Sequence, residues 1–331
     1  MSEGPRDEST SARSSEARRK KPLFVGACTT FGALAAVLAL VVGDSHAPAW
    51  AATRAASSDN DRSLKLDLVD RLKSSPQILI LGSSRAKRAE PAYLRKLTGR
   101  SGLNAGVTGG TAADAWVMTR YVARCFPHRK RRYLWFVDAD LATSGVNPDL
   151  RADPRSRTYL DGTSTVSGQR CGPGDLRSRT RYNPDGSYKS RFGTIVPESS
   201  EHLDEEVAKV VSSVRVKAKT SVGYIDPRRY VWFEKALAFM NARGERPVIV
   251  LNPIHPAVLA ELRRYGFPAR RASLQYLHEH HARFDFTIVD AQDIHRWRGS
   301  PTGFWDPRHI NTANMRLLLA YIVKHSGGAL Q

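Results

Sequence analysis

Three side chains from opposite ends of the chain can together activate a hydroxyl for acyl transfer: Ser84, Asp306 and His309. Ser84 stands in Gly82-Ser83-Ser84-Arg85, directly after the apolar run Ile78-Leu79-Ile80-Leu81. A serine on a tight turn after a buried strand is held at the carboxyl edge of a sheet, where a following helix N-terminus stabilises developing negative charge. Asp306 and His309 lie in Phe304-Trp305-Asp306-Pro307-Arg308-His309-Ile310-Asn311, just before an amphipathic segment. An Asp and a His three residues apart on one turn can meet, so that the carboxylate fixes the imidazole tautomer while the other ring nitrogen faces the serine. Each fragment alone is commonplace, since Gly-Ser-Ser also caps helices and D-x-x-H also arises as a capping aspartate beside a surface histidine. In combination they point to a nucleophile, a base and its orienting acid.

Further polar residues follow a second apolar run. Asn252 and His255, in Leu251-Asn252-Pro253-Ile254-His255-Pro256, are candidates to touch substrate, with a capping turn as the alternative. His278-Glu279-His280-His281 is not H-E-x-x-H and does not share one helix face, so it reads as a solvated helix surface. No metal or organic cofactor is required by this chemistry.

The elements that must position these residues are readable from periodicity. From Gln77 onward, apolar β-type runs alternate with amphipathic helical patterns, the signature of a parallel sheet covered by helices on both faces. Strands are expected at Gln77–Leu81, Gly102–Ala105, Arg132–Val137, Pro247–Leu251 and Phe286–Asp290. Helices are expected at Ala112–Ala123, Glu201–Ala218, Pro227–Ala242, Pro256–Tyr265, Arg271–Phe284 and Thr312–Val323. The expected fold is α/β, a three-layer α/β/α flavodoxin-like sandwich with a five-stranded parallel sheet, preceded by one transmembrane helix. Residues 141–200, dense in Gly, Pro, Arg, Ser and Asp, leave the third strand at the carboxyl edge. They are expected to form an insertion over the site, as a lid or acceptor surface or as a plain surface excursion.

Residues 1–22 form a polar tail ending in Arg18-Arg19-Lys20-Lys21, and residues 23–43 run without a charge, about the length a membrane-crossing helix needs. The preceding basic cluster puts the tail in the cytoplasm and everything after Gly43 outside it. A cleaved signal peptide ending among the small residues from Ala47 to Ala52 is the rival; the long polar tail and long apolar run favour an uncleaved anchor. Residues 44–75, rich in Ala, Ser and Asp, read as a linker with a short helical stretch near Leu64–Leu72, and residues 76–331 as the folded domain. Of the three cysteines, Cys125 and Cys171 either pair or remain buried thiols.

The balance of 51 Lys and Arg against 32 Asp and Glu gives a formal charge of +19 and favours acidic partners. No zinc finger, RNP-type motif or basic recognition helix is present, so nucleic acid is not expected as a partner.

The region Gln77–Val323 resembles the SGNH/GDSL hydrolases, and within them the membrane-anchored branch of DltD-like and alginate-acetylation-like proteins. The matching blocks are Gly82-Ser83-Ser84, then Asn104-Ala105-Gly106-Val107-Thr108-Gly109-Gly110, then Asp306 with His309. The resemblance implies Ser84 as nucleophile, His309 as base, Asp306 as its orienter, and an oxyanion hole from the N–H groups of Ser84 and Gly106. The chain departs at the third block, where Val137-Asp138-Ala139-Asp140-Leu141 has no Asn to donate to an oxyanion; Asp140 resembles the acidic residue that some membrane-anchored relatives carry at this point and is a candidate to touch substrate. The implied activity is that of a serine esterase or O-acyltransferase acting on acyl esters of an envelope polysaccharide or lipid, with a multispanning membrane acyltransferase as a possible partner. The alternative is a non-catalytic scaffold that binds envelope polymer on a degenerate form of this fold. A phosphate-binding flavodoxin-like module would leave Asp306 and His309 without a purpose.

Overall fold

The computed structural model of the protein describes residues 60–138, 145–162, 171, 182–189, 200–220, 230–266 and 268–331. Its centre is one five-stranded sheet built from the apolar runs: β1 (Ile78–Leu81), β2 (Gly102–Asn104), β3 (Arg132–Val137), β4 (Pro247–Leu251) and β5 (Thr287–Asp290). All neighbours are parallel, in the order β2-β1-β3-β4-β5. In this doubly wound order the chain reverses direction across the sheet between β1 and β3, and ligand crevices of open α/β sheets form at the carboxyl end of that point.

Alternation along the strands splits the core into two layers. Ile78, Ile80, Leu134, Phe136, Val248 and Val250 face one side and pack with α2 (Pro91–Thr98), α6 (Ser200–Thr220) and α10 (Thr312–His325). Leu79, Leu81, Tyr133, Trp135, Ile249 and Leu251 face the other and pack with α1 (Asp61–Asp70), α3 (Ala112–Cys125), α7 (Val231–Ala242) and α9 (Pro268–His280). Strands buried on both faces are why these segments read as unbroken apolar runs. A further helix, α8 (Pro256–Tyr265), lies against α6 through Val214, Val258 and Leu262.

Boundaries differ from the sequence reading at several points, the end of α9 at His280 rather than Phe284 among them. The linker drawn to residue 75 contains α1, whose Leu66, Leu68 and Val69 are buried, so the folded domain begins at about residue 60 rather than 76. Full burial of each such side chain stabilises by roughly 1.5–3 kcal/mol, enough to hold a ten-residue helix on the domain. The ninth helix starts at Pro268, three residues before the expected Arg271, because proline is accommodated at the first helical turn.

Within the stretch 141–200, α4 (Pro148–Ala152) and α5 (Pro154–Leu160) bury Leu150 and Leu160 against Ala113 and Val117 of α3. Arg155 ties them to α1, pairing with Asp67 at 2.7 Å, Asp70 at 3.0 Å and Asp153 at 2.8 Å. Residues 182–189 form a turn on the β2 edge, with the Asn104 N–H donating to Asp185 O at 2.8 Å. Cys125 and Cys171 are joined by a disulfide. Among the described residues no helix is long and apolar enough to cross a membrane. The apolar run 23–43, the tail before it, the linker up to residue 59 and Asp140 lie outside the described residues.

Candidate active site

β1 delivers the chain to the carboxyl edge of the sheet, where Gly82 turns it at φ 143° into a short 3-10 turn, Ser84–Ala86. A Cβ on Gly82 would sit 2.8 Å from Phe136 O and 2.9 Å from the Ala86 Cβ, so both the backbone angle and the space demand glycine. Gly82→Ala is therefore expected to displace the Ser84 turn, cutting turnover about 100-fold, as an ångström-scale misplacement does. The accompanying backbone strain costs about 2 kcal/mol, to be read as a lower thermal midpoint beside the activity.

Asp306 and His309 sit on a turn pinned at its base by the Phe304–Ile310 bridge, both residues being buried. The Trp305 N–H donates to His309 O at 2.8 Å and the Asn311 N–H to Gly303 O at 2.8 Å. Asn314, at the start of α10, clamps the same segment by accepting from the Ser300 N–H and donating to Ser300 O and Gly303 O.

The turn carries His309 to Ser84. The imidazole Nε2 lies 2.8 Å from Ser84 Oγ, and Nδ1 lies 2.7 Å from Asp306 Oδ2. Because Nδ1 faces a carboxylate, it holds the proton and donates, which leaves Nε2 to accept from the serine hydroxyl. Asp306 Oδ1 accepts from the Arg308 N–H at 2.7 Å and the His309 N–H at 3.0 Å. Burial pushes the Asp306 pKa up, but the hydrogen bond and charge of His309 and the two backbone donors outweigh it and hold the carboxyl down at about 2. The three residues thus form a proton path from hydroxyl to imidazole, steadied by an ionised acid. Such a path generates a serine nucleophile and returns its proton to a leaving group.

Other expected site residues fall differently. The Gly106 N–H is spent, donating to Asn104 Oδ1 at 2.9 Å in a buried position, so it cannot serve an oxyanion in this arrangement. Asn252 is 2% exposed, and its Nδ2 donates to Asp138 Oδ1 at 2.9 Å. His255 is 9% exposed, packed edge-on to Phe304 at 5.2 Å, with its N–H reaching Pro307 O at 3.4 Å. Burial pushes its imidazole pKa down, only partly offset by Asp204. Both residues are buried, His255 against the turn that carries Asp306 and His309.

Three groups the sequence did not single out complete the site. Asn104 is fully buried and donates to Ala86 O at 2.8 Å and Ala89 O at 2.7 Å, tying the β2 loop to the segment that carries Ser84. Asp138, just after β3, pairs with Arg85 at 2.7 Å and so fixes the residue after Ser84. Arg88 lies 4.3 Å over the Trp305 ring and 5.6 Å from the Tyr188 ring, while Lys87 lies 4.8 Å from Tyr188. This rim of cations and aromatic faces stands four residues from Ser84 on one side and beside Asp306 on the other. The clue in the sequence was the Lys87-Arg88 pair directly after the serine turn.

No protein-family model matches the chain, and a search of curated proteins finds no match.

Proposed function

We propose that the protein is an extracytoplasmic, membrane-anchored serine esterase or O-acyltransferase that acts on acyl groups of a cell-envelope polysaccharide or lipid. The observation that carries this reading is the continuous chain Ser84–His309–Asp306, with spacings of 2.8 and 2.7 Å at the carboxyl edge of a parallel sheet. In mechanism, Ser84 attacks the ester carbonyl, His309 takes the hydroxyl proton and gives it to the leaving alcohol, and Asp306 stabilises the imidazolium between. An incoming hydroxyl, from water or from a sugar, then releases the acyl group by the reverse route.

The oxyanion needs donors, and the loop after β2 supplies one by elimination. Its N–H groups are committed at Gly106 to Asn104, at Val107 to Gly82 O, at Thr108 to Asp61, at Gly110 to Val107 O and at Thr111 to Asp114. Among the described residues the Gly109 N–H has no acceptor, and Gly109 is partly exposed at φ 56°. It takes the role expected of Gly106, beside the Ser84 N–H.

The resemblance to anchored SGNH/GDSL hydrolases, the apolar run 23–43 and the Cys125–Cys171 disulfide, which persists in oxidising compartments, support a site outside the cytoplasm. The +19 charge and the Lys87-Arg88 rim support an anionic polymer or headgroup as acceptor. A multispanning membrane acyltransferase is the proposed source of acyl groups. The test is release or transfer of acetyl by the full chain, from p-nitrophenyl acetate, with and without anionic envelope polysaccharide. Serine-dependent turnover that yields acetylated polymer supports the transferase form, and acetate alone the esterase form. Polymer binding with no turnover would replace both with the scaffold reading.

A further inference from the structure

We infer that α1, the first helix among the described residues, is a working part of the site, with Arg62 the residue that fixes the direction of the Gly109 N–H. This rests on the hydrolase reading above. Arg62 is 4% exposed and anchored by Asp114, its Nε donating to Oδ1 at 2.7 Å and its Nη2 to Oδ2 at 3.3 Å. The same Nη2 reaches Gly109 O at 3.2 Å and, at a longer 3.4 Å, Thr108 O.

The second contact matters because Thr108 C=O and Gly109 N–H belong to one peptide unit. A trans peptide is planar and its C=O and N–H point in opposite directions. Drawing the Thr108 carbonyl toward Arg62 therefore turns the Gly109 N–H away from α1. Glycine at φ 56° has little steric resistance to rotation of that unit, so its direction depends on outside contacts. Asp61, from the same helix, grips the other side of Thr108. Its Oδ2 accepts from the Thr108 N–H at 3.2 Å, from Thr108 Oγ1 at 2.6 Å and from Lys87 Nζ at 3.2 Å. The loop that carries the proposed oxyanion donor is thus held by two adjacent residues of a helix that sequence alone placed in a linker. Arg62 and Asp61 are positioning residues, acting through the Thr108–Gly109 peptide.

The test compares wild type with Arg62→Lys and Asp61→Asn in the full chain. Arg62→Lys keeps the charge beside Asp114 and removes the second arm of the fork; Asp61→Asn leaves Arg62 untouched and is the check should the first variant fold poorly. Three readouts are taken: kcat and KM on p-nitrophenyl acetate, thermal midpoint, and amide hydrogen exchange across residues 106–111. The expected result is a 10- to 100-fold fall in kcat, a fraction of the loss seen when a whole oxyanion donor is removed. KM should stay within about twofold, and exchange at the loop should rise about tenfold with β1 and β3 unchanged. Wild-type kcat in both variants, or a loss that merely follows the thermal midpoint, overturns the inference. Should wild type itself show no Ser84-dependent turnover, the hydrolase reading fails, and an unaltered loop exchange in Arg62→Lys then separately overturns the positioning claim.

Discussion

Ser84→Ala and His309→Ala are each expected to lower kcat on p-nitrophenyl acetate by about four to six powers of ten with KM little changed, because nucleophile and base act as one unit. The double variant should be no worse than either single one. Additive losses would mean that the 2.8 Å contact between Ser84 and His309 is not the route of proton transfer. Neither substitution removes a buried apolar group, Ser84 and His309 being only half-buried, so thermal midpoints should stay near wild type and separate chemistry from folding.

Asp306→Asn is expected to cost about three to four powers of ten in kcat. The carboxylate takes three hydrogen bonds: from His309 Nδ1 at 2.7 Å, from the His309 N–H at 3.0 Å and from the Arg308 N–H at 2.7 Å. An asparagine satisfies the two backbone donors with its oxygen and presents its NH₂ to Nδ1. The imidazole must then carry its proton on Nε2, where it points at Ser84 and cannot act as a base. The stability effect has a definite sign. The Asp306 pKa is depressed from 3.8 to about 2, so its contribution is complete above pH 3.8 and fades as pH falls toward 2. The variant should lose that acid-side dependence while keeping its fold at neutral pH, as thermal melts between pH 2 and 7 would show.

All five strands lie within one residue of where the apolar runs placed them, the pattern being clearest in β1, β3 and β4, which are almost wholly apolar and buried. The Ser84, Asp306 and His309 set was equally legible, since its order and turn chemistry are local. What the sequence hid was pairing. Helix α1 carries Arg62 and Lys65 on its buried side, which breaks the apolar stripe that marks a helix. Those side chains are tolerated because Arg62 meets Asp114, while Lys65 donates to Asn104 O at 2.7 Å and Gly186 O at 2.5 Å. None of those partners is near it in sequence. The Gly106 N–H, expected as an oxyanion donor, is held by Asn104 instead, a pairing that only the fold shows. Asn252 and His255 were rightly placed at the carboxyl edge, but their depth is set by how the Asp306 turn closes over them. Helix α2 went unread although its signals were present, with Pro91 at its first turn and Gly99 at φ 73° at its end.

The most direct test of the central claim is labelling of the full chain by a fluorophosphonate, followed by peptide mass mapping. The site as described predicts one phosphonylated serine, Ser84, labelled in wild type, about a hundredfold or more slower in His309→Ala, and absent in Ser84→Ala. Absence of labelling in wild type, or an adduct on another serine that survives Ser84→Ala, would contradict it.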